Sequence, residues 1–502
     1  METCFVGQNL CAGYVKSAAL GHHLNGNLCA YRKNDTATQE GMIMLSKNEL
    51  LYKKKNAYDV IGEEELLLAN DYCEQYKSFL DCAKTEREAV AEAVKCAEAS
   101  GFTPYCRGMK LEAGSKIYKD VGGKAVMLAV IGEKALSDGV NIVAAHLDSP
   151  RLDLKQVPLY EDGDMAFFKT HYYGGIKKYQ WVVLPLALHG VVIKQDGTLV
   201  DIVIGEDDGD PLFIITDLLP HLGKDQAKKT VSDVFTGENL NILIGSRPAG
   251  DEKEKDRVKL TVLKLLNEKY GISEEDFLSA EIEAVPAMRA RDIGFDRSMI
   301  AAYGHDDRSS SFAALKAITS LQKPQMTAVC VLVDKEEVGS DGVSGMQSAM
   351  FEDFMEDLCD TWGVRLRDCF KASFCLSGDV CNAFDPNFAD VSEKQNSAKL
   401  GCGVGVSKYS GSRGKSGSSE ASAEVVAMLR RVFADNDVVW QMATLGKVDQ
   451  GGGGTVAKYM ANRNIATIDA GVPVLSMHAP YEIVSKIDCY MTYKAMVAIF
   501  NR

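Results

Sequence analysis

The sequence predicts an α/β protein: a mostly parallel central sheet with helices on both faces, plus a β-rich insertion. Three observations predict it. Short apolar runs suited to buried strands alternate with longer stretches of helical period, the pattern of an open sheet layered by helices. From about residue 154 to 291 the rhythm changes to period-two alternation broken by acidic glycine turns. From residue 292 the strand–helix alternation returns and runs to residue 502. The expected organisation is a discontinuous domain of residues 44–153 and 292–502, with residues 154–291 inserted into it.

Residues 1–43 are rich in Gly, Asn, Cys and His and have no clear period. They are expected to be a poorly ordered extension, or the product of a start codon placed too early. Ser46 and Glu49 have the spacing of a helix capping box. Residues 64–83 read as an amphipathic helix. Thr85 and Glu88 repeat the capping-box spacing, and the helix they start should end near Gly101. Residues 125–131 read as a strand and 141–145 as a buried one. Inside the insertion, Glu161-Asp162-Gly163-Asp164, Gln195-Asp196-Gly197 and Asp207-Asp208-Gly209-Asp210 mark turns. Residues 251–257 are charged and expected to be solvated.

Bulk properties narrow the function. With 46% hydrophobic and 25% charged residues the chain can bury a large core. A net charge of -14 argues against a nucleic-acid partner and against an anionic membrane. No apolar stretch approaches the roughly 20 residues of a membrane span. The start lacks the pattern of a signal peptide. The 14 cysteines are scattered and form no C-x-x-C pair, as expected of buried thiols in a reducing compartment. A cytoplasmic location is the expectation.

Five residues carry the chemistry. In open α/β sheets, sites collect at the carboxyl ends of strands. His146, Asp306, Glu337, Asp379 and His478 each sit just past a short apolar run, and together they offer the ligand types of a two-metal hydrolase. Strand period puts Asp148 on the same side as His146, where it could hold the other ring nitrogen. Two adjacent carboxylates, Glu336 and Glu337, are costly at a buried strand end unless a cation neutralises them. Glu337 could take the metal and Glu336 serve as general base. Asp306 or Asp307 could instead simply cap a helix. Gly451 to Gly454 read as a turn or as a loop whose bare backbone approaches substrate, with Gly453 as the contact; the spacing is not that of a phosphate-binding loop.

The segments AHLDSPRLDLK, GHDDRSSSFAAL, DKEEVGSDGVSGMQS, SGDVCNAFDPNF and MHAPYE resemble the M18 family of metallo-aminopeptidases, the aspartyl aminopeptidases, over most of the chain from about Met44. HYYGGIKKYQW and the last histidine motif look closer to M18 than to the related M42 family. The resemblance implies one zinc on His146, Asp306 and Asp379 and a second on Asp306, Glu337 and His478, with cobalt or manganese as alternatives. It implies Asp148 supporting His146, Glu336 as general acid/base, and a cis peptide between Asp306 and Asp307. It also implies that the insertion mediates dimerisation and that dimers assemble into a tetrahedral dodecamer enclosing a chamber for peptide substrates. The chain departs from animal-type members at Asn382 and Asp385, where they carry histidines, which puts Asp/Glu specificity in doubt. Arg413 or Lys415 could still meet an acidic side chain, and His171 or His189 could reach a partner's site. The competing readings are a related two-metal carboxypeptidase, dipeptidase or deacylase, and a peptide-binding particle without turnover.

Overall fold

The computed structural model describes residues 50–502 except Glu252. The expected extension over residues 1–43 and the capping box at Ser46 and Glu49 lie outside the described residues. Residues 54–502 form one compact unit.

Two helices lead in. α1 (Glu63–Cys82) opens on Glu63, Glu64 and Glu65, acids that favour the positive end of the helix dipole. α2 (Glu86–Ala99) starts at the capping box read from the sequence. The Glu88 N–H donates to Thr85 Oγ1 at 3.2 Å, and Glu88 Oε2 accepts the Thr85 N–H at 3.0 Å. Strands β1 (Thr103–Pro104), β2 (Lys116–Val121), β3 (Ala125–Val130) and β4 (Asn141–His146) follow.

A second sheet comes next in the chain. It is built from β5 (Arg151–Asp162), β6 (Met165–Tyr173), β7 (Leu186–Ile193), β8 (Leu199–Ile204), β9 (Ile242–Gly245) and β10 (Ala280–Pro286), with α3 (Arg257–Tyr270) against β5, β6 and β9. Its order is β8-β7-β10-β5-β6-β9, all pairs antiparallel. The two-residue loop between β5 and β6 holds Gly163 and Asp164 at φ of 55° and 58°, the left-handed backbone of a type I′ hairpin. This sheet has its own apolar core, including Leu152, Phe168, Trp181, Leu188, Ile202 and Phe277.

Residues 291–502 supply β11 (Arg291–Ile293), β12 (Met299–Ala302), α4 (His305–Ser320), β13 (Ala328–Val333), α5 (Met350–Thr361), α6 (Leu366–Ala372), β14 (Phe374–Ser377), β15 (Cys381–Asn382), β16 (Val404–Ser407), α7 (Ala423–Asp435), β17 (Trp440–Met442), α8 (Val456–Asn462), β18 (Ala466–Gly471), β19 (Pro473–Leu475), β20 (Glu482–Ser485) and α9 (Lys486–Phe500). The central sheet is β1-β2-β3-β13-β4-β14-β18-β16-β17. It is mixed. Its middle, β13-β4-β14-β18, is parallel, while β3 pairs antiparallel with β2 and β13, and β16 with β18. Alternate side chains point to opposite faces. Val126, Leu128, Val143 and Ala145 pack with α1, α2, α4 and α9. Met127, Ala129, Ile142 and Ala144 pack with α5, α6 and α8.

A third sheet, β11-β12-β20-β19-β15, changes the expected origin of the site. The sequence reading placed five ligands at the ends of one set of parallel strands. Two of those runs, β12 before Asp306 and β19 before His478, instead belong to this separate sheet.

Candidate metal centre

Three neighbouring parallel strands deliver the first ligands. His146 is the last residue of β4, Glu336 and Glu337 lie in a short 3-10 turn just past β13, and Asp379 lies two residues past β14. From the third sheet, Asp306 stands at the start of α4, where Asp306 and Asp307 leave helical geometry and their shared peptide bond is cis. His478 follows β19 at a φ of 64°.

Asp306 sits between the two histidines. Its Oδ1 is 3.2 Å from His146 Nε2, and its Oδ2 is 3.0 Å from His478 Nε2. His478 Nε2 is also 3.3 Å from Glu337 Oε1, a buried oxygen with no hydrogen bond. Ligand atoms of His146, Glu336 and Glu337 lie within 4.8 Å of one another, as do those of His146, Asp307 and Asp379. Asp306, Glu336, Glu337, Asp379 and His478 line one cleft of about 250 Å³, and His146 stands buried behind it against Asp306.

The other ring nitrogens are fixed by backbone. His146 Nδ1–H donates to the Asp148 carbonyl at 2.9 Å, and His478 Nδ1–H to the Gly175 carbonyl at 3.0 Å. Both Nε2 atoms are thereby aimed at Asp306. The Asp148 carboxylate stands farther from His146, at 3.4 Å. It accepts the N–H groups of Glu336 and Glu337, each at 3.1 Å, and the Tyr173 hydroxyl at 2.7 Å. Its carboxylate thus holds the turn that carries Glu336 and Glu337 as well as facing the histidine.

The cluster concentrates buried carboxylates. Burial, reinforced by neighbouring carboxylates, holds Glu337, Asp379 and Asp307 well above the usual carboxylate range. Burial, with Asp306 and Asp148 adding and the histidines opposing, pushes Glu336 up to about 7. Burial opposes charge on His478, but Asp306 overcomes it and raises the ring to about 10. Asp306 itself is held low by the two histidines in spite of its burial. A set of nitrogen and oxygen donors, with buried Glu337 Oε1 and Asp307 Oδ1 lacking hydrogen bonds, fits divalent metal ions.

Two contributors were not assigned from the sequence. Asp307 accepts the His146 N–H at 3.3 Å and faces Asp379. Glu482 is buried and accepts the N–H of His478 at 2.6 Å and of Asp306 at 3.0 Å, tying the two arms of the site together. Its only sequence signal was its place in MHAPYE.

The tentative substrate contacts separate. Gly453 lines the metal cleft. Arg413 and Lys415 line an adjoining hollow of about 360 Å³ that shares Tyr409, Ser410 and Leu445 with the cleft. Lys415 pairs with Glu420 at 2.9 Å and lies over the Tyr409 ring. His171 is exposed on β6 and stacks on Tyr172, outside the cleft. His189 is buried between Glu88, at 2.7 Å, and Glu206, at 3.0 Å, which is a structural role.

Residues 79–500 match the family model described as aminopeptidase I zinc metalloprotease (M18). The chain belongs to the M18 family. It is 50% identical over 462 residues to a probable M18 family aminopeptidase 1 from Clostridium acetobutylicum, covering 90% of this chain and 99% of that one. The crystal structure of the M18 aminopeptidase from Thermotoga maritima superposes with a TM-score of 0.86 at 43% identity, covering 90% of this chain and 99% of the other. Aminopeptidase I from Clostridium acetobutylicum superposes with a TM-score of 0.85 at 48% identity, covering 90% of this chain and all of the other. M18 membership makes this an aminopeptidase of a zinc metalloprotease family. Among the described residues no helix is long and apolar enough to cross a membrane.

Proposed function

We propose that this chain removes N-terminal residues from unblocked peptides with two divalent cations in the cleft, zinc by default and cobalt or manganese as substitutes. His146, Asp306 and Asp379 would hold one; Asp306, Glu337 and His478 would hold the other. The observation that carries this reading is Asp306, which presents one carboxylate oxygen to each histidine Nε2. Bound cations would supply Lewis acidity toward a scissile carbonyl and lower the pKa of water. Glu336, held near neutrality by burial, is suited to take a proton from water at an Oε atom and return it to the leaving amine. Asp148 fixes the backbone that carries Glu336. The free α-amine would sit against a metal or nearby carboxylates, restricting cleavage to the peptide's end.

An acidic first residue would enter the adjoining hollow, where Arg413 makes no ion pair among the described residues, whereas Lys415 is already paired. Residues 154–291 would form an inserted domain that mediates dimerisation within a homo-oligomer, with a tetrahedral dodecamer as the full assembly. Exposed Leu212, Leu218, Leu219, Leu222 and Val231 offer apolar surface for such contacts. Free, mostly buried cysteines support a cytoplasmic location.

The test is a set of initial rates on unblocked and N-acetylated Asp-, Glu-, Leu- and Lys-anilides after metal loading. Metal-dependent cleavage of only the unblocked substrates is expected, with Asp and Glu fastest. Preference for Leu or Lys would remove the acidic-residue proposal. Equal cleavage of acetylated substrates would remove the aminopeptidase mechanism. Light scattering on the loaded protein gives the oligomer's mass.

A further inference from the structure

The end of β6 reaches into the metal centre twice, although β6 belongs to the six-stranded sheet and not to the sheets that carry the ligands. The Tyr173 hydroxyl donates to Asp148 Oδ2 at 2.7 Å. Two residues later, the Gly175 carbonyl accepts His478 Nδ1–H at 3.0 Å. One short segment therefore touches the supports of both histidine arms.

Its chemistry is built for close approach. A side chain on Gly175 would put its Cβ 3.3 Å from His478 Nδ1. A Cβ on Gly174, which sits at a φ of 73°, would meet Glu337 Cβ at 3.3 Å and Glu337 Oε2 at 3.4 Å. A Cβ at either position is tight enough that Glu337 or His478 would have to give by a few tenths of an ångström. Tyr173 is in turn held from its own sheet. Its register partner on β5 is Arg151, whose guanidinium lies 3.9 Å from the Tyr173 ring centroid. Arg151 is anchored by Asp153 at 2.8 Å and Glu283 at 3.1 Å.

We propose that Tyr173 and Gly175 are positioning residues that clamp the metal centre to the six-stranded sheet, Tyr173 through Asp148 and Gly175 through His478. The clamp rests on the metal-centre reading above and adds a dependence of metal affinity on a sheet that supplies no ligand. Partners that orient a ligand without touching the metal typically cost 10–100-fold in affinity when removed.

The experiment is zinc competition against a chromophoric chelator, on the full chain, for wild type, Tyr173→Phe, Gly175→Ala and Tyr118→Phe. The Tyr173→Phe substitution keeps the ring beside Arg151 and loses only the hydroxyl. Tyr118 donates to Glu98 at 2.7 Å away from the cleft, so its variant reports a purely structural hydroxyl loss. The clamp requires about 10–100-fold weaker zinc at one or both sites in Tyr173→Phe, with Tyr118→Phe unchanged. Gly175→Ala should weaken zinc similarly and supplies the answer if Tyr173→Phe does not fold. Wild-type zinc affinity in the folded Tyr173→Phe and Gly175→Ala proteins overturns the clamp alone. A wild-type chain that takes up no stoichiometric zinc overturns the metal-centre reading, and the clamp with it.

Discussion

At the junction of α2 with the six-stranded sheet, buried acids have cations supplied by neighbouring side chains. Glu86 faces Lys124 at 3.3 Å and Arg151 at 3.5 Å, and Glu283 faces Arg151 at 3.1 Å. In and around the cleft, among the described residues, Asp148, Asp306, Asp307, Glu336, Glu337 and Asp379 meet only two histidines, His146 and His478. Both regions bury carboxylates, and in both burial holds one well above the usual range, Glu283 at the junction and Glu337 in the cleft; the difference is that Arg151 and Lys124 stand beside the junction's acids. A buried acid with its own cation reads as architecture. A cluster with too few cations reads as a place for a ligand.

The largest way to sharpen this contrast is Glu336→Gln. It removes a proton carrier and leaves all the proposed ligands, so kcat should fall by roughly 10²–10⁴-fold while zinc stoichiometry stays at wild type. Rates and metal content measured on the same sample decide it; substantial residual turnover would mean that another group is the base. Next is Arg151→Ala, which breaks the junction's internal balance. It leaves Glu86 and Glu283 buried without their shared cation and should cost about 3–5 kcal/mol in chemical denaturation. A loss below about 1 kcal/mol, the range of exposed pairs, would mean that the junction is not neutralised in this way. Chelation is the matching break in the cleft. Removing metal from protein held at about 100 Kd of zinc should lower stability by about 2.7 kcal/mol for each site, restored by zinc and not by magnesium.

The finest test uses a third kind of buried acid. Asp488 has no partner cation among the described residues, and its carboxylate accepts the N–H groups of Gly401 at 2.8 Å and Gly403 at 2.7 Å. Burial raises its pKa from 3.8 to about 8, with those two N–H groups opposing. Between those values the folded state keeps a proton that the unfolded chain has lost. Stability therefore falls as pH rises from about 4 to 8, by at most about 1.4 kcal/mol per pH unit, and this contribution is flat outside that window. Asp488→Asn should flatten the slope across that window; an unchanged slope in a pH series of unfolding curves would count against it.

Much of the local structure was legible in the sequence because its signals are local. Thr85 and Glu88 form the capping box they spell, and the apolar run before His146 is β4. The acidic glycine turn at residues 161–164 closes the hairpin between β5 and β6. The ligand types at His146, Glu337 and Asp379 could be read because each follows a strand of the central sheet's parallel middle, where carboxyl ends converge. The antiparallel placements of β3 and β16 could not be read, since an apolar run does not encode its partner's direction.

By itself the sequence determined which side chains were available for metal chemistry, and that they follow strand-like runs. Tertiary structure decided which of them meet. It put Asp306 and His478 just past strands of a separate sheet and brought them to the ends of β4, β13 and β14. It also recruited Tyr173, Gly175 and Glu482, whose roles depend on a hydroxyl, a carbonyl and a carboxylate reaching across 25, 303 and 176 positions of chain. The physical reason is that hydrogen bonds and Coulomb forces act over a few ångströms of space, while sequence pattern reports only neighbours along the chain.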